Sequence, residues 1–175
     1  YLSQLLPAGA ATLNFVDYTA RRVDKNSQYL SKIATEKVKA QFIVTLADDN
    51  IGPLAQQVTQ RLESLVNKIR ENGWDGFSTR YWMLADLDPA VHFLSRASWD
   101  PEVTARSAHD ALFATITGKQ EVADRLWLAM QHIEKATELT DQKNLGFNFP
   151  VRGMLMKHHH PEPVPDWWDE VNELY

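Results

Sequence analysis

Apolar runs alternate with segments of helical periodicity in the first half of the chain. The runs cover residues 14–18, 42–50 and 76–82, and each one ends at acidic, basic or aromatic residues. Between the last two runs, apolar residues recur every three or four positions, at Leu54, Val58, Leu62, Leu65 and Ile69. Strands bridged by amphipathic helices are typical of β/α units. The pattern therefore predicts three β/α units with parallel strands.

The second half of the chain has a helical pattern only. Asp is followed by Pro at 88–89 and again at 100–101, which indicates two capped helix starts. A third helix is predicted around residues 122–136, and Gly73 and Gly118 are expected to end helices. Residues 146–165 are rich in Pro, Gly and His and predict a surface loop. The α/β fold is thus predicted to consist of β/α units over 1–88 and a helical C-terminal region over 89–175.

Composition narrows the class of protein. The chain has 175 residues, which fits one domain. Its net charge is −5 and it has no cluster of basic residues along the sequence, which argues against nucleic acid as a partner. No apolar run approaches the ~20 residues that cross a membrane. The absence of cysteine excludes disulfides, thiolate catalysis and sulfur-ligated zinc. A soluble protein is predicted, cytoplasmic or secreted after loss of a signal.

Two carboxylates end the second predicted strand. Asp48 and Asp49 are followed by Asn50, and adjacent residues of a strand face opposite sides, so one carboxylate would point toward a ligand. Paired carboxylates serve glycoside hydrolysis and divalent-metal sites. The alternative is that these three residues cap the following turn.

Polar and aromatic residues also end the other two strands. Arg80, Tyr81 and Trp82 end the third strand; an Arg can hold a carboxylate, and Tyr or Trp can stack on a sugar ring. Asp17 lies at the end of the first strand, and Arg21 and Arg22 come shortly after it. The alternative is internal pairing of the Arg side chains and burial of the Trp. A shared rim at the strand ends makes substrate binding the prediction.

A run of three histidines, His158 to His160, invites a metal hypothesis. Three consecutive residues of a loop rarely direct all three imidazoles at one ion, and no cysteine accompanies them. We therefore predict no metal at this run, and expect His158 to line a pocket or to pack on Trp167.

Two stretches resemble a known family. Residues 94–104 contain Ser-Arg-Ala-Ser-Trp-Asp-Pro, and residues 153–168 contain His-His-His-Pro-Glu-Pro-Val-Pro-Asp-Trp-Trp. Both are similar to stretches of microbial xylan-degrading α-glucuronidases, in the same order, and the likeness covers roughly residues 75–170. The family has His-His-Tyr-Gly where this chain has His160 and Pro161 in place of Tyr and Gly, so substrate preference is not carried over.

The resemblance implies a (β/α)8 barrel glycoside hydrolase with no cofactor and a carbohydrate substrate. This chain would hold the last three β/α units as a partial (β/α) barrel, and the family's catalytic acid would lie on an earlier strand outside it. Three strands cannot close a barrel whose geometry needs about eight. A homo-oligomer, or a missing N-terminal part of the same protein, is the expectation that follows.

The first functional hypothesis is a polysaccharide-cleaving hydrolase, or a C-terminal fragment of one, with Asp48 and Asp49 at the catalytic centre. At most one of the two is acid or base, because inverting enzymes separate their working carboxyls by roughly 6.5–9.5 Å. A non-catalytic glycan-binding or structural module is the alternative. A third hypothesis is a divalent-metal hydrolase built on Asp48, Asp49 and a His.

Overall fold

A parallel three-stranded sheet lies at the centre of the first half. The computed structural model describes residues 2–17, 20–46, 56–80 and 87–142. Strands β1 (Ala11–Asn14), β2 (Lys39–Thr45) and β3 (Gly76–Arg80) lie in the order β1-β2-β3, and both pairs are parallel. The predicted α/β arrangement of parallel strands is confirmed.

The first strand was predicted in the wrong place. It was expected at 14–18 but ends at Asn14, because Ala11 pairs with Lys39 and the Lys39 N–H donates to the Ala10 carbonyl. The apolar Phe15 and Val16, which suggested a strand, follow its end and remain 38% and 37% exposed. The apolar run therefore did not locate the strand, whose residues Ala11 to Asn14 pair with Lys39 to Phe42 of β2.

Helices connect the strands. Helix α1 (Leu2–Leu5) precedes β1, and α2 (Ala20–Lys25) with the 3₁₀ helix Ser27–Lys32 links β1 to β2. Helix α3 (Thr59–Glu71) precedes β3 and buries Leu62, Leu65, Val66 and Ile69. These side chains join Ala40, Phe42 and Val44 of β2 in one buried apolar cluster. Gly73 follows α3 with φ of 70°, a left-handed conformation that suits glycine and ends the helix as predicted.

Three helices follow the sheet: α4 (Asp88–Ala97), α5 (Ala105–Thr117) and α6 (Gln120–Gln142). Pro89 lies in the first turn of α4, but the predicted cap is wrong: Leu87 occupies the N-cap position, Asp88 is the first helical residue, and no side-chain hydrogen bond caps the helix. The predicted helix start at Asp100 is wrong: Asp100 accepts the Glu102 N–H in a turn, and Thr104 caps α5 instead. Gly118 ends α5 with φ of 64°. The predicted boundary at residue 88 stays a prediction, and the apolar cluster includes residues on both sides of it.

Candidate functional site

The carboxyl ends of the three strands point toward the same end of the sheet, although β1 ends opposite Phe42, three residues before the end of β2. Asn14 ends β1, Thr45 ends β2 and Arg80 ends β3, and Thr45 is the register partner of Arg80. The Leu46 N–H extends this pairing by donating to the Arg80 carbonyl, at 3.1 Å. Parallel α/β proteins bind ligands at the carboxyl ends of their strands. Here those ends belong to the three parallel strands that the sequence predicted.

A cavity of about 610 Å³ opens at the carboxyl end of β1. We call it the β1 cavity, and its polar and aromatic lining comes from Asn14, Phe15, Asp17, Arg22, Asn26 and Tyr29. The volume lies within the roughly 300–1,000 Å³ of small-ligand sites. Phe15 and Tyr29 are 38% and 44% exposed, so parts of both aromatic side chains are accessible to a ligand. Aromatic faces beside amide, carboxylate and guanidinium groups can contact both the apolar and the hydroxyl surface of a sugar.

Arg80 reaches across the sheet to the β1 cavity. Its Cζ lies 4.7 Å from the centroid of the Phe15 ring, a cation–π contact that joins the end of β3 to the end of β1. Thr45, on the strand between them, is 2% exposed, and its Oγ1 has no hydrogen-bond partner among the residues that the structure describes. Arg80 thus contacts a ring of the β1 cavity, and Asp17, a second predicted binding residue, lines the same cavity.

Arg21 has a different position from its neighbour Arg22. It is 2% exposed, and its Nη1 donates to the Thr137 carbonyl of α6 at 3.0 Å. Arg22 lines the β1 cavity. Successive helical residues point about 100° apart, so one Arg of the pair faces the protein and the other faces the cavity. The placement of Arg21 favours the internal-pairing alternative over direct contact with a substrate.

The remaining predicted site residues lie outside the described part of the chain: Asp48, Asp49, Asn50, Tyr81, Trp82 and His158. Their roles stay predictions. The sequence did not indicate Asn14, Phe15, Asn26 or Tyr29 as site residues. Phe15 was interpreted as part of a buried strand. No local pattern marks Asn26 and Tyr29, because the turn between α2 and the 3₁₀ helix brings them back toward β1.

Within the described ranges, no three His, Asp or Glu side chains come together as a metal site. In the same ranges, no helix combines the length and apolarity needed to cross a bilayer.

Comparison of the chain with protein-family models, curated proteins and solved structures gave no match. The resemblance to xylan α-glucuronidases therefore stays a prediction.

Proposed function

We propose that this chain is the C-terminal part of a carbohydrate-active hydrolase that cleaves glycosidic bonds of a polysaccharide by carboxylate acid/base chemistry. The observation that carries the proposal is the β1 cavity, where Asp17 and two exposed aromatic side chains line the carboxyl edge of a parallel sheet. Such a lining offers both a polar and an aromatic surface to a sugar, and α/β enzymes place their ligands at the carboxyl ends of the strands.

The sheet itself supports a partial (β/α) barrel. Ala40, Phe42 and Val44 are buried, whereas on the alternate strand positions Gln41 and Ser78 are exposed, Ile43 is half-buried and only Thr45, at the carboxyl end, is buried. Among the described residues, β1 and β3 each pair with a strand on one side only. A closed barrel would cover the exposed face and give β1 and β3 a second neighbouring strand each. An N-terminal part of the same protein, or other copies of the chain, would provide those strands.

In this proposal, Asp48 or Asp49 is the acid or base and the other carboxylate braces the loop. Arg80 and Asp17 hold the polar groups of the sugar, while Phe15 and Tyr29 contact its apolar face. The second carboxylate of the catalytic pair belongs to a strand outside this chain.

Replacement of Asp48 and Asp49 by Asn in the full-length protein tests the proposal. One of the two variants is expected to lower kcat on glucuronoxylan or neutral xylan oligosaccharides by roughly 10²–10⁴-fold. Asp100→Asn is a matched control, because Asn keeps the oxygen that accepts the Glu102 N–H in an exposed turn. Unchanged turnover in both variants would remove the two carboxylates from the mechanism.

A non-catalytic glycan-binding module is the second candidate function. It is favoured by the lining of the β1 cavity, where Asp17 is the one carboxylate among the described residues and aromatic and amide groups predominate. Tyr29→Ala should weaken binding of a xylan oligosaccharide up to about tenfold through loss of the aromatic contact, as measured by calorimetry, while Trp99→Ala, at a 91% exposed side chain away from the cavity, should not. Binding without turnover in the full-length protein would favour this module over the hydrolase.

A further inference from the structure

Helix α3 receives its N-terminal cap from a different helix. Val58 occupies the N-cap position and provides no side-chain acceptor. The first N–H groups of any helix have no partner within that helix. Glu134 of α6 supplies two acceptors for these groups: its Oε2 accepts the Gln60 N–H at 3.2 Å, and its Oε1 accepts the Arg61 N–H at 3.0 Å. One carboxylate thus binds two backbone amides of the first turn of α3.

The same stretch of α6 makes further contacts with α3 and α2. The Thr137 Oγ1 accepts the Gln57 N–H at 3.4 Å, just before α3. The Thr137 carbonyl accepts Nη1 of Arg21 in α2, at 3.0 Å. Glu138 lies 3.5 Å from Nη2 of Arg61. About one turn of α6, from Glu134 to Glu138, therefore holds the starts of two helices of the sheet region.

Helices α2 and α3 are also tied to each other, beside the β1 cavity. Asp24 of α2 accepts from Ser64 Oγ at 2.6 Å and pairs with Lys68 Nζ at 2.7 Å. Arg22, on the same helix as Asp24, lines the cavity. Movement of α3 would consequently be passed to the cavity wall that α2 provides.

We propose that Glu134 is a positioning residue which, by capping α3, lets the helical region fix the wall of the β1 cavity; its functional part rests on the glycan site proposed above. The residue touches no ligand in this scheme. It acts through α3 and α2, and its removal should alter the cavity without unfolding the sheet, because the apolar cluster beneath α3 stays intact.

Amide hydrogen exchange in the full chain tests the positioning directly. In Glu134→Ala, exchange at Gln60 and Arg61 should rise about tenfold or more, because their acceptor is lost. Exchange at Gln57 should rise as well, although its own acceptor, Thr137, is unchanged. The amides of β2 should keep their rates. Glu134→Gln keeps one acceptor oxygen and places an NH2 donor where the second oxygen was, so it should restore protection at only one of the two amides.

Glu138→Ala is the matched control. Glu138 lies one turn further on α6 and contacts the Arg61 side chain, but it accepts no backbone amide of α3 among the described contacts. It should leave the three amides unchanged. Unchanged exchange at Gln57 in Glu134→Ala would overturn the proposal, since the cap would then be purely local. An equal rise at β2 would also overturn it, since the effect would be loss of global stability.

Binding of a glucuronoxylan oligosaccharide supplies the functional readout. Affinity should fall several-fold in Glu134→Ala, recover only in part in Glu134→Gln and stay unchanged in Glu138→Ala. Altered exchange with unaltered affinity would overturn the link to the cavity. If the unmodified protein binds no glycan, the proposed function fails, while the exchange data still decide whether Glu134 positions α3.

Discussion

The sheet region and helix α6 are held in place by different forces. Phe42, Leu62 and Leu65 are at most 1% exposed and belong to a single apolar cluster that spans β2, α3 and α4. Among the described residues of α6, Ala123 is the one buried apolar side chain. The helix packs mainly against α5, where Trp127 meets the His109 ring, and it contacts α3 and α2 through Glu134, Thr137 and other polar groups.

Because different interactions hold them, the two regions should respond to different perturbations. Apolar burial contributes about 25 cal/mol per Å² and depends little on salt or pH. A typical hydrogen bond contributes about 0.5–1.5 kcal/mol, and an exposed ion pair about 0–1 kcal/mol. Loss of apolar contacts should therefore unfold the sheet region, whereas pH should act mainly on the attachment of α6.

The largest effect is expected for Phe42→Ala. Phe42 is 1% exposed and meets the Trp74 ring edge-on at a centroid distance of 5.6 Å, so truncation leaves a cavity in the cluster. The free energy of unfolding should fall by about 3–5 kcal/mol in urea titrations of the full chain. Leu128→Ala, at a 55% exposed position of α6, should cost less than about 1 kcal/mol. Equal losses would contradict the contrast between the two regions.

A smaller loss is expected for Asp24→Asn, which tests the polar part of the sheet region. Asp24 is 5% exposed, and its carboxylate lies 2.7 Å from Lys68 Nζ. Asn keeps an acceptor, and the Asp24 carbonyl still accepts from Lys68 Nζ at 2.8 Å, but the negative charge that faces the ammonium is lost, so the free energy of unfolding should fall by about 2 kcal/mol. The control Asp124→Asn removes a carboxylate of α6 that is 53% exposed. A loss for Asp124→Asn as large as for Asp24→Asn would show that burial of the carboxylate does not determine how much these ion pairs contribute to stability.

Two carboxylates on α6 should give opposite pH dependences. Burial raises the pKa of Glu134, against the opposing effect of the Arg61 and Gln60 N–H groups, whereas the hydrogen bond from Lys135 lowers the pKa of Glu138. The contribution of Glu134 to stability is therefore present below its ordinary pKa and is lost as pH rises through the raised value. The contribution of Glu138 is present above its ordinary pKa and is lost as pH falls through the lowered value.

Unfolding titrations across the acidic range measure both effects. Relative to the unmodified protein, Glu134→Gln should gain stability as pH rises, and Glu138→Gln should lose it. Each change should be smaller than the loss for Asp24→Asn, because both carboxylates keep some access to water. Shifts of the same sign in the two variants would contradict the prediction.

The smallest effect is expected for Arg125→Ala. Arg125 and Glu121 pair at 2.6 Å on α6, but both side chains are 78% exposed. The free energy of unfolding should change by at most about 0.5 kcal/mol, and high salt should abolish the difference. A loss above about 1 kcal/mol would mean that the surface of α6 contributes more than its exposure implies.

The sequence predicted where several helices end or begin, because single Gly and Pro residues have strong backbone preferences. Gly73 and Gly118 end helices because each adopts a positive φ that other residues avoid, and Pro89 lies in a first turn where its missing N–H is not needed. The start of β3 at Gly76 was also predicted. The position of β1 was not, since its register depends on hydrogen bonds to β2, which lies far along the chain.

The sequence by itself determined that apolar strands alternate with amphipathic helices, and that charged residues follow the strands. Only the tertiary structure decided which charged residues face the candidate site. Arg21 and Arg22 are adjacent and chemically identical, yet one donates to Thr137 of α6 and the other lines the β1 cavity. Glu134 carries no local signal as a cap, because its two partners belong to α3 and become neighbours only when α6 packs against it. Such contacts depend on the packing of distant elements, which periodicity within a segment does not encode.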